Sequence, residues 1–285
     1  MSVAQKYYKN FKIAVEKRIT KNCAVPLSGG LDSSLIVKAV CELGREEDCL
    51  FLCYGDDKYA KIVEDKYGIN VHYFSHRIDS FEDYLYEIVR IWEEPFYWVS
   101  VGYFLYREIN KKQKRVSISG LGSDELYGGY SYYDTEEYPR GLFAEISAKT
   151  NQDKLHHDKN LLIFHHLRKN DKMGLKFDIE GRYPFLDRDL QEYNKESFGK
   201  KIIKELLLED FSKDFVFRDK SGFIMEWVDH DIIDKHVEAL RAKGFAVEPK
   251  SKRQKMFFCQ FNIWLDIFKV PHDSIAFNGE VFWKK

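Results

Sequence analysis

Apolar and polar positions in the first half of the chain alternate between a helical and an extended period. Residues 2–19 have apolar side chains at helical spacing, and a short apolar strand follows from Cys23 to Leu27. Leu31, Leu35, Ile36, Ala39, Val40 and Leu43 share one face of a helix that Gly44 stops. Cys49 to Tyr54 form an apolar strand, Asp57 to Tyr67 a helix closed by Gly68, and Ile69 to Phe74 a third strand. Residues 80–93 and 99–112 read as helices separated near Pro95, and Arg115 to Ser119 as a fourth strand. Strands separated by helices pair in parallel, because the crossover is long enough to return over the sheet. From about Tyr130 the strand runs cease and the pattern is helical. We therefore expect an α/β fold: a doubly wound, mainly parallel sheet with a helical C-terminal half. The two parts are placed at residues 1–135 and 136–285.

Composition narrows the function classes. The chain has 285 residues, 44% hydrophobic and 16% aromatic, which supplies a core and excludes disorder as the dominant state. Its 45 Lys+Arg nearly cancel 46 Asp+Glu, so binding nucleic acid by bulk electrostatics is disfavoured. No apolar stretch reaches the roughly 18–20 residues that a membrane helix needs. The N-terminal residues, Met-Ser-Val-Ala-Gln-Lys, lack the apolar core of a signal peptide. The five cysteines (Cys23, Cys41, Cys49, Cys53 and Cys259) form no CxxC pair and read as buried free thiols. The expected location is cytoplasmic, with no membrane partner.

Two glycine loops carry the candidate chemistry. Ser28-Gly29-Gly30-Leu31-Asp32-Ser33-Ser34 follows the first strand and opens a helix. Glycines let backbone approach a ligand, and hydroxyls with unpaired helix N–H groups suit a phosphate or pyrophosphate. A bare Asp32 carboxylate would repel phosphate, so a bridging divalent cation is implied. No Lys follows the glycines, which excludes a Walker A loop. Ser119-Gly120-Leu121-Gly122-Ser123-Asp124-Glu125 follows the fourth strand and again sets an Asp at the start of a helix. In a doubly wound sheet ligands bind at the carboxyl ends of the strands, so both loops can face one ligand and Asp32 and Asp124 can share a metal.

Together the loops resemble the synthetase domain of the asparagine synthetase family, within the wider N-type ATP pyrophosphatases or PP-loop enzymes (adenine nucleotide alpha hydrolase-like) and related to β-lactam and carbapenam synthetases. The second loop, SGLGSDELYGGY, is the narrower match. Asp56 to Ala60, Arg168 to Met173 (RKNDKM), Glu180 to Asp187 (EGRYPFLD), Lys200 to Lys204 (KKIIK) and Arg218 to Phe223 (RDKSGF) resemble further family segments in the same order. The resemblance spans roughly residues 20–230.

It implies an ATP- and Mg²⁺-dependent ligase that adenylates a small-molecule or carrier-borne carboxylate, releases pyrophosphate and passes the acyl group to ammonia or an amine. Leu27, Ser28, Gly29, Gly30, Asp32, Ser33, Ser119, Gly120 and Lys200 would bind the nucleotide, and Asp32 and Asp124 the Mg²⁺. Lys220 would stabilise charge at the α-phosphate, and Glu180 and Arg182 would lie near the acceptor or brace the site. A tRNA-modifying PP-loop enzyme and a non-catalytic ATP-binding subunit are the alternatives.

Three departures matter. Glutamine-dependent members of the family carry an N-terminal glutaminase domain whose first mature residue is cysteine. Here the chain starts Met1-Ser2 and its first Cys is Cys23. We therefore expect no glutaminase activity of its own, and nitrogen from free ammonia, an amine or a separate glutaminase subunit. Leu121 stands where asparagine synthetases have Glu and β-lactam and carbapenam synthetases have Tyr. Leu cannot take a proton, which leaves Glu125, Glu180 and Asp187 as candidate bases. Pro26 lies in the strand feeding the first loop, which suggests that this strand is short.

His156-His157 and His165-His166 have no acidic or Cys partner for a metal site, and read as a solvated or hydrogen-bonded helix face. The charged stretch at residues 108–115 reads as a solvated helix end. Met256 to Phe268 is an apolar helix expected to pack the helical half against the sheet, with a homodimer face as the second reading.

Overall fold

The computed structural model describes residues 1–55, 57–76, 78–134, 150–219 and 228–270. By contacts the chain divides into two compact units. Among the described residues, the first takes in 1–75, 104–134 and 150–219, the second 76–103 and 228–270.

The first unit is built on strands β1 (Cys23–Pro26), β2 (Cys49–Tyr54), β3 (Val71–Phe74), β4 (Val116–Ile118) and β5 (Glu180–Arg182). All neighbours pair in parallel, in the order β3-β2-β1-β4-β5. The α/β expectation is met, with one strand more than the sequence pattern shows. Glu-Gly-Arg has no apolar signature; β5 is a strand because it completes the edge of β4, with Ile118 opposite Arg182.

Helices α1 (Val3–Glu16), α2 (Leu31–Glu42), α3 (Lys58–Tyr67), α4 (Phe81–Trp92) and α5 (Gly102–Lys111) follow the periodicity closely. Ser2 caps α1 in a reciprocal capping box with Gln5, and the helix buries Ala4, Tyr7, Phe11 and Val15. Truncating a fully buried side chain such as Phe11 costs about 3–5 kcal/mol. Leu43 is the C-cap of α2, and Gly44 follows at φ 62°. Pro26 is accommodated because β4 pairs with β1 only as far as Ala24, so the missing N–H breaks no rung on that side.

One charged residue departs from its expected setting. Glu108, in the stretch read as solvated, is buried; its carboxylate meets His72 Nε2 at 3.0 Å and Lys111 Nζ at 3.3 Å.

Beyond β4 the first unit continues through α6 (Ser123–Tyr127), α7 (Asn151–Leu161), a π-helical turn at Leu162–Leu167, α8 (Arg168–Lys176), α9 (Lys201–Leu207) and α10 (Lys213–Val216). Helix α9 packs on α1 and α2, which brings the segment before it close to the first glycine loop.

In the second unit, α4 lies with α11 (His230–Ala242) and α12 (Lys252–Phe268). The apolar stretch Met256 to Phe268 belongs to α12, which packs on α4 and α11. Buried His236 ties α11 to α4 through Glu82 at 2.9 Å and to α12 through Asn262 at 2.9 Å. Among the described residues no helix is long and apolar enough to cross a membrane.

Candidate active site

Strand β1 runs through Leu27 into the first glycine loop. Ser28 Oγ lies 3.3 Å from Ser33 Oγ and accepts from Gly30 N at 3.4 Å, while Ser33 and Ser34 donate back to Gly30 O at 3.0 and 2.8 Å. Gly30 is the N-cap of α2 and brings no side chain to cap its first turn. The loop is thus braced by its own serines, and the positive end of a twelve-residue helix is left open to an anion.

Strand β4 neighbours β1, so the second loop emerges beside the first. This is the crevice from which the strand order runs outward in both directions, where ligands of doubly wound sheets bind. The two loops touch. Ser123 Oγ donates to Asp32 Oδ1 at 2.7 Å. A Cβ on Gly120 would stand 2.7 Å from the Cβ of Asp32, so only glycine allows this approach.

Lys200 closes the cluster. Its ammonium lies 2.8 and 2.6 Å from the two oxygens of Asp32 and 2.6 Å from Asp124 Oδ1. Lys200 is 5% exposed and sits at φ 57°, next to Gly199 at φ 69°. Two successive left-handed residues are unfavourable for a lysine, and such conformations persist where the surroundings hold them. A Cβ on Gly129 would fall 2.2 Å from Lys200 Cε and 2.2 Å from Asp124 Oδ1, so the lysine stem passes over bare backbone. Burial alone would pull the Lys200 ammonium down. Asp32 and Asp124 outweigh it and hold its pKa above the ordinary lysine value, so the group stays charged at any physiological pH.

Two carboxylates against one ammonium leave the cluster net negative beside an anion-seeking helix end. Among the described residues no group of three or more His, Cys, Asp or Glu converges on one point. Two carboxylates with hydroxyls nearby form an all-oxygen donor set. That suits Mg²⁺, which usually takes one or two carboxylates and completes its shell with phosphates and water. The residues fit a cation that arrives with its phosphates, and Asp32 and Asp124 are the groups that would hold it.

The structure thus brings together Ser28, Gly29, Gly30, Asp32, Ser33, Gly120, Asp124 and Lys200. Glu180 does not join them. It stands at the amino end of β5 opposite Val116, and its carboxylate is 62% exposed. Both its oxygens accept from Arg182, at 2.9 and 3.0 Å. The Arg182 hydrogen bonds hold Glu180 below the ordinary glutamate value. Arg182 also donates to Arg18 O at 2.9 Å, so the pair braces β5 against the segment after α1.

Asp187 is likewise engaged. Burial pushes its carboxyl up, but Arg18 at 2.7 Å outweighs this and holds it low. Glu125 is buried on α6 next to Asp124; Tyr130 donates to it, and His166 Nε2 lies 3.9 Å away. His166 belongs to the π-helical turn joining α7 to α8. Lys220, Asp56 and the end of the RDKSGF segment lie outside the described residues.

Three contributors were absent from the sequence-derived set. Ser123 lies inside the quoted second loop but was not singled out there. Gly129 lies in the Gly-Gly pair that follows. Arg218 crosses over the Tyr59 ring at 3.8 Å from its centroid and donates to Gly29 O, fixing the first loop from outside.

The family model described as Asparagine synthase matches residues 6–161 and 148–262. The chain belongs to the asparagine synthase family. Among curated members, asparagine synthetase [glutamine-hydrolyzing] of Triphysaria versicolor is 33% identical over 205 residues, covering 63% of this chain and 32% of that protein. The enzyme of the same name from Asparagus officinalis is 31% identical over 211 residues, 65% of this chain and 33% of that protein. Asparagine synthetase [glutamine-hydrolyzing] 1 of Arabidopsis thaliana is 31% identical over 201 residues, 63% and 32%. The matched stretch therefore spans about a third of these asparagine synthase family relatives.

Proposed function

We propose that this protein is an Mg-ATP-dependent, amide-forming ligase that adenylates a carboxylate and hands the acyl group to ammonia or an amine. The observation that carries the reading is the meeting of the two loops, with Asp32 and Asp124 converging on one buried cation beside the open N-terminus of α2.

On this reading the first loop receives the pyrophosphate portion, through Ser28, Gly29, Gly30 and Ser33. Leu27, Ser119 and Gly120 flank the AMP portion. Bound Mg²⁺ would screen the phosphates and draw charge from the bridging oxygen. Lys200 adds a fixed positive charge that needs no reorganisation as negative charge builds on the leaving group. Lys220 is assigned to the α-phosphate. Attack by an amine needs a proton acceptor, and Leu121 cannot serve. Glu180 and Asp187 are held as low-pKa carboxylates by arginines, which makes them weak bases at neutral pH. Glu125, one residue from Asp124 and close to His166, is the better-placed acceptor.

The test is pyrophosphate release with Mg-ATP across a panel of small carboxylic acids, with and without ammonium and short amines, followed by mass analysis of the product. Carboxylate-dependent release with an amide formed supports the reading. Nucleotide binding without release under any acceptor overturns catalysis. Release that depends on tRNA and falls with salt assigns the chain to another class.

A further inference from the structure

Cys23 and Cys49 lie opposite one another in the β1–β2 ladder. Residues in register on parallel neighbours point to the same face of the sheet, and their backbones run about 4.7–4.9 Å apart. That spacing falls inside the Cα separation of roughly 4.4–6.8 Å that disulfides span. The two sulfurs are already 3.3 Å apart. Bond formation needs about 1.2 Å of approach, within reach of a small side-chain rotation. Cys23 is fully buried and Cys49 half-buried, so a small oxidant reaches the pair from the Cys49 side.

We propose that Cys23 and Cys49 form a redox-active dithiol that closes to a cross-strand disulfide under a hydroperoxide. The site goes beyond the ligase reading and stands independently of it, because it sits at the amino ends of the strands whereas the glycine loops leave their carboxyl ends. The surroundings favour ionisation of one thiol. The hydrogen bond that the two sulfurs share holds Cys23 below the ordinary thiol value against its burial and pushes Cys49 above it. One thiolate beside one thiol is the arrangement from which disulfide chemistry starts.

The step balances with hydrogen peroxide as oxidant. The Cys23 thiolate attacks one peroxide oxygen, the O–O bond breaks, and the departing oxygen takes a proton from solvent and leaves as water. Cys23 is then a sulfenic acid. Cys49 loses its proton and attacks that sulfur; the S–S bond forms, the S–O bond breaks, and the hydroxyl leaves with the proton as a second water. Two thiols give up two electrons, and the peroxide accepts them. The ring so closed, residues 23–49, encloses the first glycine loop and α2. It removes freedom from the unfolded chain while leaving the loop tips untouched.

The experiment treats the full chain with hydrogen peroxide, titrates thiols after denaturation and maps peptides by mass. The expected result is a thiol count lower by two, a linked Cys23–Cys49 peptide, recovery with dithiothreitol, and a Tm raised by about 5 °C. In Cys49→Ser the internal loss of two thiols disappears, and dimedone added together with the denaturant traps a sulfenic acid at Cys23. An unchanged thiol count, over-oxidation at Cys49 without linkage, or loss of two thiols that persists in Cys49→Ser overturns the proposal.

Discussion

Ser123, on the second glycine loop, donates to the carboxylate of Asp32 on the first, at 2.7 Å. Two segments about ninety residues apart in sequence are thus fixed to one another through the group that would meet the metal. Replacing Ser123 by Ala leaves Lys200 as the partner of Asp32 among the described residues. A lost hydrogen bond to a charged group costs about 1.5–3 kcal/mol. Pyrophosphate release should fall by about tenfold or more. A kinetic comparison with wild type, at matched Tm, checks this.

Lys200 makes a second prediction, which separates the cation from the chemistry. Lys200→Met keeps the length of the side chain and removes its charge, leaving Asp32 and Asp124 facing each other. Removing one partner of a buried ion pair costs about 3–5 kcal/mol. The metal-free variant should therefore melt well below wild type, and added Mg²⁺ should raise its Tm more than it raises that of wild type. Equal Mg²⁺ shifts in the two proteins would mean that the carboxylates do not share the cation.

Gly120→Ala places a Cβ 2.7 Å from Asp32 Cβ. The second loop has to retreat, and the carboxylates separate. Misplacement of about 1 Å can cost a hundredfold in rate. The fold should survive, because the loop tip lies outside the core. Circular dichroism unchanged beside a hundredfold loss of pyrophosphate release is the expected pair of results.

Glu125→Gln retains an acceptor for Tyr130 and removes the base. If Glu125 takes the proton of the attacking amine, amide formation should fall by about 10²–10⁴-fold. Pyrophosphate formed in the first turnover should persist. A quenched-flow comparison of pyrophosphate burst and amide product separates the two steps, and loss of both together would assign Glu125 to the metal site instead.

What could be read ahead of the structure followed from how local each signal was. Helix α2 announced itself by six apolar positions on one face and a glycine stop, and β2 by an unbroken apolar run. The glycine loops were legible because tight turns and anion sites need particular residue types. Strand β5 was not, since Glu-Gly-Arg becomes extended only through pairing with β4. The chemistry of Glu180 was readable but its position was not: register sets it at the far end of the sheet. Lys200 was marked by resemblance alone, because nothing in its local sequence tells that a left-handed backbone aims it between two aspartates. Cys23 and Cys49, likewise, become neighbours only when β1 and β2 align.

The last prediction concerns acid. Asp210 accepts from Lys38, from Lys66 at 3.1 Å and from Tyr67 at 3.0 Å, joining α2 and α3 to the segment after α9. Burial pushes its carboxyl up, and these partners outweigh it, so its folded pKa lies below the ordinary aspartate value. A carboxyl depressed on folding contributes stability that is complete above the unfolded pKa and is lost as pH falls through the folded one. The window therefore opens near pH 4 and extends downward. At pH 7 Asp210→Asn should cost about 1.5–3 kcal/mol, because buried Lys38 loses its closest partner. As pH falls from 5 towards 3 the Tm gap between wild type and variant should narrow, since the wild-type carboxylate is being neutralised while Asn does not titrate. A gap that stays constant over that range would show that packing, and not charge, is what Asp210 contributes.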